Sequence, residues 1–248
     1  MNRSDTIALL QRLDVRPSRR LGQNFLVDRN LLLALVRDAQ IEPGEKVLEV
    51  GPGTGALTRE LLAAGADVTA IEFDRRLAAY LTEELAHEAH FRLVEGDACQ
   101  VELATLMGEG PYRCIANLPY SASSPFLMRV LSTPNPPVQL HILLQREMAD
   151  RLVAEPSCKA YSGLSVQVGA HYETSIRRAS PPNVFFPPPD VASASVRLVS
   201  RDPPLIRSAQ EHDRLHAVVR IGFSQRRKQL AKLLAAHYGS ENVMRAFD

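Results

Sequence analysis

A glycine-rich turn between an apolar run and a helical pattern constrains the fold of this chain more than any other feature. Residues 46–50 read as a short buried strand, and Gly51-Pro52-Gly53-Thr54-Gly55-Ala56 follows them directly. Further strand-like runs at 67–71, 91–94, 112–116 and 138–144 end at polar residues, and helical patterns at 58–64 and 75–86 lie between some of them. Strands that alternate with helices indicate a doubly wound parallel sheet, whose ligands bind at the carboxyl ends of its strands.

The patterns on either side of this region predict the domain organisation. A helix over 28–39, capped by Asp28, precedes the first strand, and residues 1–45 form an N-terminal arm and helix. Beyond Ser162, a helix through Tyr172 leads to strands around Ile176 and at 193–199, which we expect to close an antiparallel edge. Residues 210–247 read as helical and basic. We therefore expect a boundary near Arg201, between a domain of residues 1–200 and a small helical domain of residues 201–248.

The turn and two acidic residues predict a cofactor that contains adenosine. Gly51 and Gly53 let a cofactor lie directly against the backbone, and the turn satisfies the dinucleotide motif if Ala56 takes its last place. Glu72 ends the second strand, 21 residues after Gly51, where a carboxylate accepts hydrogen bonds from both ribose hydroxyls. Asp97 follows the third strand and can accept from the exocyclic amine of adenine, with a helix cap as its alternative role.

Glu49 favours S-adenosylmethionine over a nicotinamide dinucleotide as this cofactor. The acidic turn that begins at Glu49 suits a ligand that carries a sulfonium and an ammonium, whereas a carboxylate there repels a pyrophosphate. A nicotinamide-dependent dehydrogenase is the alternative that the glycine turn alone allows.

The segment Asn117-Leu118-Pro119-Tyr120, after the fourth strand, indicates methyl transfer to an amino group of a nucleobase. Such a nitrogen is a poor nucleophile because its lone pair is delocalised into the ring. The Asn117 side-chain oxygen and the Leu118 carbonyl can accept from its two N–H groups, Pro119 fixes the turn, and Tyr120 stacks on the base. No dedicated general base is required, since the nitrogen becomes acidic once it is alkylated, so catalysis is mostly alignment. A turn without chemistry is the alternative.

With these motifs in this order, the chain resembles the small-subunit ribosomal RNA adenine N6-dimethyltransferases over nearly its whole length. Further motifs that carry the resemblance lie at 21–26, 71–74, 144–149, 187–198 and 223–228. The resemblance implies an α/β fold of the class I methyltransferases, with a Rossmann-like sheet of seven mostly parallel strands and a small all-helical C-terminal domain. It also implies that S-adenosylmethionine methylates N6 of two adjacent adenosines near the 3′ end of 16S rRNA, in a partly assembled 30S particle, during ribosome biogenesis.

The same resemblance implies roles for individual residues. It places Phe185 opposite Tyr120 across the target base, and a flipped base favours two aromatic faces, although an ordinary core position is the alternative for Phe185. The chain departs from the family pattern at Asp190, where relatives commonly have lysine, and it ends at Asp248, where relatives commonly continue. The implied cofactor contacts are Asn24, Leu26, Gly51, Glu72, Asp97 and Asn117.

The charge distribution suits two partners of opposite sign. The formal net charge is only +1, but residues 1–30 and 201–248 are basic and residues 31–200 are acidic. The acidic part contains the residues expected to meet a cationic cofactor, and the basic ends remain for RNA phosphates. The expected RNA contacts, for which a merely solvated helix face is the alternative, are Arg16, Arg19, Arg20, Arg226, Arg227, Lys228 and Lys232.

Composition and residue spacing exclude several other classes of protein. Hydrophobic residues at 45% and charged residues at 23% exclude a disordered or collagen-like chain. Cys99, Cys114 and Cys158 lie far apart, which predicts buried reduced thiols rather than a disulfide framework or a zinc site. The histidine pairs at 87/90 and 212/216 read as exposed helix residues, so we expect no metal. Because we find neither an apolar run of ~20 residues nor a signal peptide, we expect a cytoplasmic protein that does not bind membranes. We also expect it to be a monomer.

Two alternatives concern the RNA partner. A large-subunit 23S rRNA adenine methylase of the macrolide-resistance type shares the cofactor motifs, but residues 187–198 and 223–228 favour the small-subunit enzyme. A mainly non-catalytic ribosome assembly factor is the other alternative, and the intact motif from Asn117 to Tyr120 favours retained catalysis.

Overall fold

The main feature of the fold is a seven-stranded sheet with an antiparallel edge. The computed structural model describes residues 1–18, 22–225 and 227–247. Within these residues the strands are β1 (Phe25–Leu26), β2 (Lys46–Val50), β3 (Asp67–Glu72), β4 (Phe91–Glu95), β5 (Arg113–Asn117), β6 (Gln139–Gln145), β7 (Tyr172–Ser180), β8 (Phe185–Phe186) and β9 (Ser193–Ser200). The main sheet has the order β4-β3-β2-β5-β6-β9-β7. Neighbours from β4 to β6 are parallel, and β9 is antiparallel to both β6 and β7, which confirms the predicted fold class.

Helices follow most strands and continue after the sheet. Those of the described residues are α1 (Arg3–Arg12), α2 (Arg29–Ala39), α3 (Ala56–Ala63), α4 (Arg75–Glu84), α5 (Leu103–Met107), α6 (Ser123–Ser132), α7 (Arg146–Leu152), α8 (Gly163–His171), α9 (Ala209–Gly222), α10 (Leu230–Tyr238) and α11 (Ser240–Phe247). The side chain of Asp28 accepts a hydrogen bond from the Leu31 N–H at 2.8 Å, so α2 begins where the sequence predicted.

The central strands β2 and β5 are buried on both faces because their successive side chains enter two different core clusters. Val47 and Ile115 pack with α2 and α3, through residues such as Leu35. Leu48 and its neighbours on the other face pack with α6, through residues such as Phe126. Central parallel strands with two apolar faces therefore place their polar residues at the strand ends, where the side chains are free for other roles.

Apart from the helices α5, α6 and α7, two parts of the fold were not predicted from the sequence. One is α1, whose N-terminus is closed by reciprocal hydrogen bonds between Asn2 and Asp5. The other is the short antiparallel pair in which Phe25 lies opposite Phe186 and Leu26 lies opposite Phe185. This pair joins the segment before α2 to the segment before β9, which lies far away in the sequence.

The last three helices have a small core of their own, formed by Ile221, Leu233, Leu234 and Val243. The helical prediction for this region is right, although turns interrupt the helix after Gly222 and at Gly239. His212 is buried and its ring lies 3.2 Å from His171 of α8, so its expected exposure was wrong. The domain boundary near Arg201 stays a prediction.

Three further expectations concern surface and composition. Cys114 is buried and Cys99 is half-buried, but Cys158 is exposed, so the expectation of buried thiols was wrong for that residue. In the part of the chain that the structure describes, no helix has both the length and the apolar character needed to cross a membrane. Among the same residues, no group of three or more His, Cys, Asp or Glu side chains is arranged to hold a metal ion.

Candidate active site

A cavity of about 370 Å³ opens at the carboxyl ends of β2, β3, β4 and β5. It lies where the strand order changes direction between β2 and β5, which is the position at which parallel sheets bind their ligands. The segment 22–26 also lines it. The structure brings the following predicted residues together in the lining: Asn24, Leu26, Glu49, Gly51, Gly53, Glu72, Asp97, Asn117, Leu118, Pro119 and Tyr120.

Glu49 is the most unusual of these residues, because a carboxyl group near the end of β2 is only 1% exposed. Its Oε2 atom has no hydrogen-bond partner among the described residues. Burial raises the pKa of Glu49 to about 8, the nearby Glu72 charge adds to this effect, and Thr58 opposes it. A pKa of about 8 favours the protonated form of Glu49 at pH 7, and a cation or a hydrogen-bond donor in the cavity would favour the carboxylate.

Glu72 is held at the end of β3 by two backbone N–H groups. Gly53 donates to its Oε2 at 2.9 Å, and Asp74 donates to its Oε1 at 2.8 Å. Burial raises the pKa of Glu72, and these hydrogen bonds oppose the increase. Each carboxylate oxygen can accept more than one hydrogen bond, so both remain able to accept from the two hydroxyls of a ribose.

The glycine turn has a packing role that the sequence did not predict. Gly53 has a φ of +59°, and a Cβ atom there would lie 3.0 Å from the Phe25 ring. The position needs glycine because of its backbone conformation and because Phe25 packs on it. A cofactor that lies directly on the backbone is therefore not required to explain Gly53. At Gly51, which also has a positive φ, a Cβ atom would have only ordinary contacts with Pro119.

Asp97 and the exposed Phe73 lie on the lining near the ends of β4 and β3. The Asp97 carboxylate accepts from the Cys99 N–H at 2.9 Å and from the Gln100 side chain at 3.0 Å. It closes a turn as a capping residue does, while it also faces the cavity. Phe73, which sequence reasoning missed, is 59% exposed and offers an apolar surface beside Glu72.

Asn117 ends β5 with its side-chain amide oriented by the segment before β1. Its Nδ2 donates to the backbone carbonyl of Asn24 at 2.9 Å. This hydrogen bond assigns the nitrogen to Asn24 and leaves Oδ1 as an acceptor. Asn24 therefore orients Asn117 through its backbone carbonyl rather than through its side chain.

Tyr120 is half-buried, lines the cavity, and is held from two sides. Its hydroxyl lies 2.7 Å from the Oγ of Ser193, at the start of β9. Its backbone lies against Gly22, where a Cβ atom would be 2.7 Å from the Tyr120 nitrogen. Gly22 has a φ of +66°, so only glycine fits there without displacing the turn. Sequence reasoning assigned no role to Gly22 or Ser193, although both lie in the motifs that carried the family resemblance.

Phe185 is not among the residues that line the cavity. Its ring is fully buried in the cluster that contains Leu26, Leu35 and Leu143. This is the ordinary core position that the sequence left as the alternative. The role of second aromatic face stays a prediction, and it requires the ring to be uncovered.

The expected RNA contacts are described only in part. Arg19, Arg20 and Arg226 lie outside the described residues. Arg227 and Lys228 are exposed in the turn between α9 and α10. Arg16, Lys232 and Asp190 are exposed as well, so each of these charges is accessible to a large partner.

The hydrogen-bond acceptors of the cavity fit a cationic ligand that contains adenosine. The unpartnered Oε2 of Glu49 suits an ammonium group or another positively charged donor, because it has no other means of compensating its burial. Glu72 suits a ribose, and Asp97 suits an amino group. A pyrophosphate, by contrast, would meet three acidic side chains and no cationic one among the described lining residues.

The chain is similar to known proteins over most of its length. The family model for ribosomal RNA adenine dimethylase matches residues 16–247. The ribosomal RNA small subunit methyltransferase A of Moorella thermoacetica is 39% identical over 240 residues, which cover 93% of this chain and 83% of that protein. A solved dimethyladenosine transferase from Plasmodium falciparum has a TM-score of 0.75 and 27% identity, over 90% of this chain and 78% of that one. The structure of the 23S rRNA methyltransferase ErmE has a TM-score of 0.70 and 30% identity, over 91% and 89%.

Proposed function

This chain belongs to the ribosomal RNA adenine dimethylase family, and on that premise we propose that it methylates 16S rRNA in the small ribosomal subunit. The reaction transfers methyl groups from S-adenosylmethionine to N6 of two adjacent adenosines near the 3′ end of this RNA. The observation that carries the proposal is the position of Asn117 and Tyr120 on the same cavity as Glu49 and Glu72. One cavity thus joins acceptors for an adenine amino group to acceptors for a cationic nucleoside.

S-adenosylmethionine, when bound, supplies a methyl group made electrophilic by the sulfonium. Glu49 would hold its positively charged end, since the buried Oε2 would gain a partner there and the positive charge would favour the carboxylate form of Glu49. Glu72 binds the ribose hydroxyls and Asp97 binds the adenine amino group. Asn24 and Leu26 line the same cavity, as do Gly51 and Gly53.

Asn117 and Leu118 align the amino group of the target base. The Oδ1 atom of Asn117 accepts from one N–H group, because Nδ2 is already engaged by the Asn24 carbonyl at 2.9 Å. The Leu118 carbonyl accepts from the other N–H group, Pro119 fixes the turn between them, and Tyr120 stacks on the base. Two acceptors aimed at one nitrogen favour a pyramidal geometry. In this geometry the lone pair is no longer delocalised into the ring and can point at the methyl carbon.

Alignment is the main source of the rate enhancement in this proposal. Holding two reactants in register contributes up to ~7–11 kcal/mol in favourable cases. The alkylated nitrogen becomes acidic and loses its proton to solvent, so the site needs no general base.

The RNA partner requires a basic surface beyond the cavity. We propose that Arg227 and Lys228, with the residues at 16, 19, 20 and 226, contact the phosphates of the rRNA in a partly assembled 30S particle. Modification during assembly gives the protein a role in ribosome biogenesis in the cytoplasm, where it acts as a monomer. Residues 1–200 form the methyltransferase domain in this proposal, and residues 201–248 form the helical domain that carries much of the basic surface.

A second candidate is methylation of 23S rRNA, favoured by the likeness to ErmE. The segments 187–198 and 223–228 favour the small-subunit substrate, as does the name of the Moorella relative. A mainly non-catalytic assembly factor is the third candidate, and the intact acceptor geometry at Asn117 argues against it.

The test is transfer of labelled methyl groups from S-adenosylmethionine to unmethylated 30S subunits. We expect Asn117→Ala to lower kcat by about 100-fold, the range found when one preorganised hydrogen-bonding group is removed from an active site. Tyr120→Ala should lower kcat by about 10- to 100-fold, because stacking on a base contributes about 1–3 kcal/mol. Asn30→Ala, at an exposed position of α2, is the matched control and should be unchanged. Rates within twofold of the wild type for both site variants would show that the proposed alignment is wrong.

A further inference from the structure

A serine at the start of β9 is hydrogen-bonded to the aromatic residue of the candidate active site. The Oγ of Ser193 and the hydroxyl of Tyr120 lie 2.7 Å apart, and either atom can be the donor. Ser193 is completely buried, so solvent does not reach its side of this hydrogen bond. Its backbone is paired on both sides, opposite Gln145 of β6 and opposite Ser180 of β7. The hydroxyl of Tyr120 is therefore hydrogen-bonded to a residue whose backbone is held between two strands.

The hydrogen bond to Ser193 restrains where the Tyr120 side chain extends. Tyr120 is half-buried and lines the cavity, and its hydroxyl oxygen lies on the axis of rotation about χ2, so this bond fixes the position of the far end of the ring rather than its rotation about that axis. One end of the residue is fixed through the backbone, which lies against Gly22. The hydrogen bond to Ser193 fixes the other end. The position of the ring at the cavity and the direction of its long axis are thereby set before any base arrives, and preorganisation of this kind lowers the cost of ordering on binding.

Two neighbouring serines are also buried but do not form such a hydrogen bond. Ser195 lies two residues further along β9 and therefore on the same face of the strand as Ser193. Ser180 lies opposite Ser193 and shares that face. Both are buried, yet the hydroxyl of each has no hydrogen-bond partner among the described residues. Of these three buried serines, Ser193 is the one whose hydroxyl reaches Tyr120.

We propose that Ser193 is a positioning residue for methyl transfer, which acts by holding the Tyr120 side chain in place beside the target base. The inference rests on the proposed function, because it requires Tyr120 to stack on a base. Ser193 does not line the cavity and touches no reacting atom in this scheme. Its effect should therefore fall on the rate of methyl transfer and leave the binding of S-adenosylmethionine unchanged.

A double-mutant cycle between Ser193→Ala and Tyr120→Phe tests the inference directly. Tyr120→Phe removes the hydroxyl but keeps the ring, so each single variant deletes the same hydrogen bond from one side. We expect each to lower kcat for 30S methylation by about fivefold, which corresponds to a net hydrogen-bond contribution of about 1 kcal/mol. The double variant should be no slower than either single variant, because the shared interaction is lost only once.

Two controls separate positioning from a general effect on the fold. Ser195→Ala removes an equally buried hydroxyl that has no partner, and its kcat should match the wild type. The Kd for S-adenosylmethionine, measured by calorimetry, should change by less than twofold in all the variants. Ser193→Cys keeps a weak hydrogen-bonding group of similar size and should recover part of the lost rate. It also gives a result if Ser193→Ala does not fold.

The outcomes distinguish this inference from the proposed function. If the wild type methylates 30S subunits and Ser193→Ala stays within twofold of its kcat, the inference is wrong and the proposed function stands. Additive losses in the double variant would also overturn it, because the two side chains would then act independently. A wild-type chain that transfers no methyl group to 30S subunits overturns the proposed function, and this inference with it.

Discussion

Replacing Glu49 with glutamine should stabilise the ligand-free protein and weaken its binding of S-adenosylmethionine. Burial raises the pKa of Glu49 from 4.5 to about 8. The folded protein thus keeps a proton that the unfolded chain has already released at pH 7. At about 1.4 kcal/mol for each pH unit above 4.5, this costs about 3 kcal/mol of stability at pH 7. Glutamine carries no such cost, although its buried amide lacks a partner, which costs about 1–3 kcal/mol.

The sign of the pH dependence follows from the raised pKa. Below pH 4.5 the carboxyl is protonated in both states, so Glu49 imposes no cost there. Between pH 4.5 and about 8 the wild type loses stability relative to Glu49→Gln, and above about 8 the difference becomes constant. Urea unfolding of the two ligand-free proteins at pH 5 to 9 should therefore show a difference that grows by about 1.4 kcal/mol per pH unit and then levels off.

Binding of S-adenosylmethionine should change in the opposite direction. We expect Glu49→Gln to raise the Kd at least about tenfold at pH 8, because the variant cannot offer a carboxylate to the positively charged end of the ligand. Glu60→Gln, at a half-buried position of α3, is the control and should change neither quantity. A pH-independent loss of stability together with an unchanged Kd would refute the reasoning, since it would mean that Glu49 has only a structural role.

Two further substitutions test the geometry around Tyr120. Gly22→Ala should lower 30S methylation at least about tenfold, because its Cβ atom would meet the Tyr120 nitrogen at 2.7 Å. Gly44→Ala is the control, because Gly44 also has a positive φ and its replacement has the same conformational cost of about 1–2 kcal/mol, but a Cβ atom there would meet nothing within 4 Å. Equal losses of activity in the two variants would contradict the displacement argument. Phe185→Leu should cost about 1 kcal/mol of stability and leave kcat within threefold, because the ring is buried in the core. A tenfold loss of kcat with unchanged stability would instead show that Phe185 stacks on the base.

The sheet and the positions of the site residues at the strand ends could be predicted from the sequence, because both depend on local patterns. Apolar runs that end in polar residues identified the strands, and residues after β2, β3, β4 and β5 meet in one cavity because parallel strands end at the same edge. All four acidic or amide residues lie at this edge: Glu49 is next to last in β2, Glu72 and Asn117 end β3 and β5, and Asp97 follows β4.

The remaining features depend on contacts between distant segments, which no local pattern reports. The β1–β8 pair has only two residues on each side and no periodicity. The contact of Phe25 with Gly53 and that of Gly22 with Tyr120 arise from this pairing and from the turn before it. Depth of burial is hidden for the same reason. A glutamate in a strand reads as charged, yet Glu49 is 1% exposed and has a raised pKa.

The measurement that tests the central claim most directly is the identification of the methylated nucleotides. Unmethylated 30S and 50S subunits would each be incubated with the protein and labelled S-adenosylmethionine, and the modified bases would be mapped by primer extension and nucleoside analysis. We predict N6-dimethylation of two adjacent adenosines near the 3′ end of 16S rRNA, and no label in 23S rRNA. Label in an adenosine of 23S rRNA, or in neither RNA, would contradict the account.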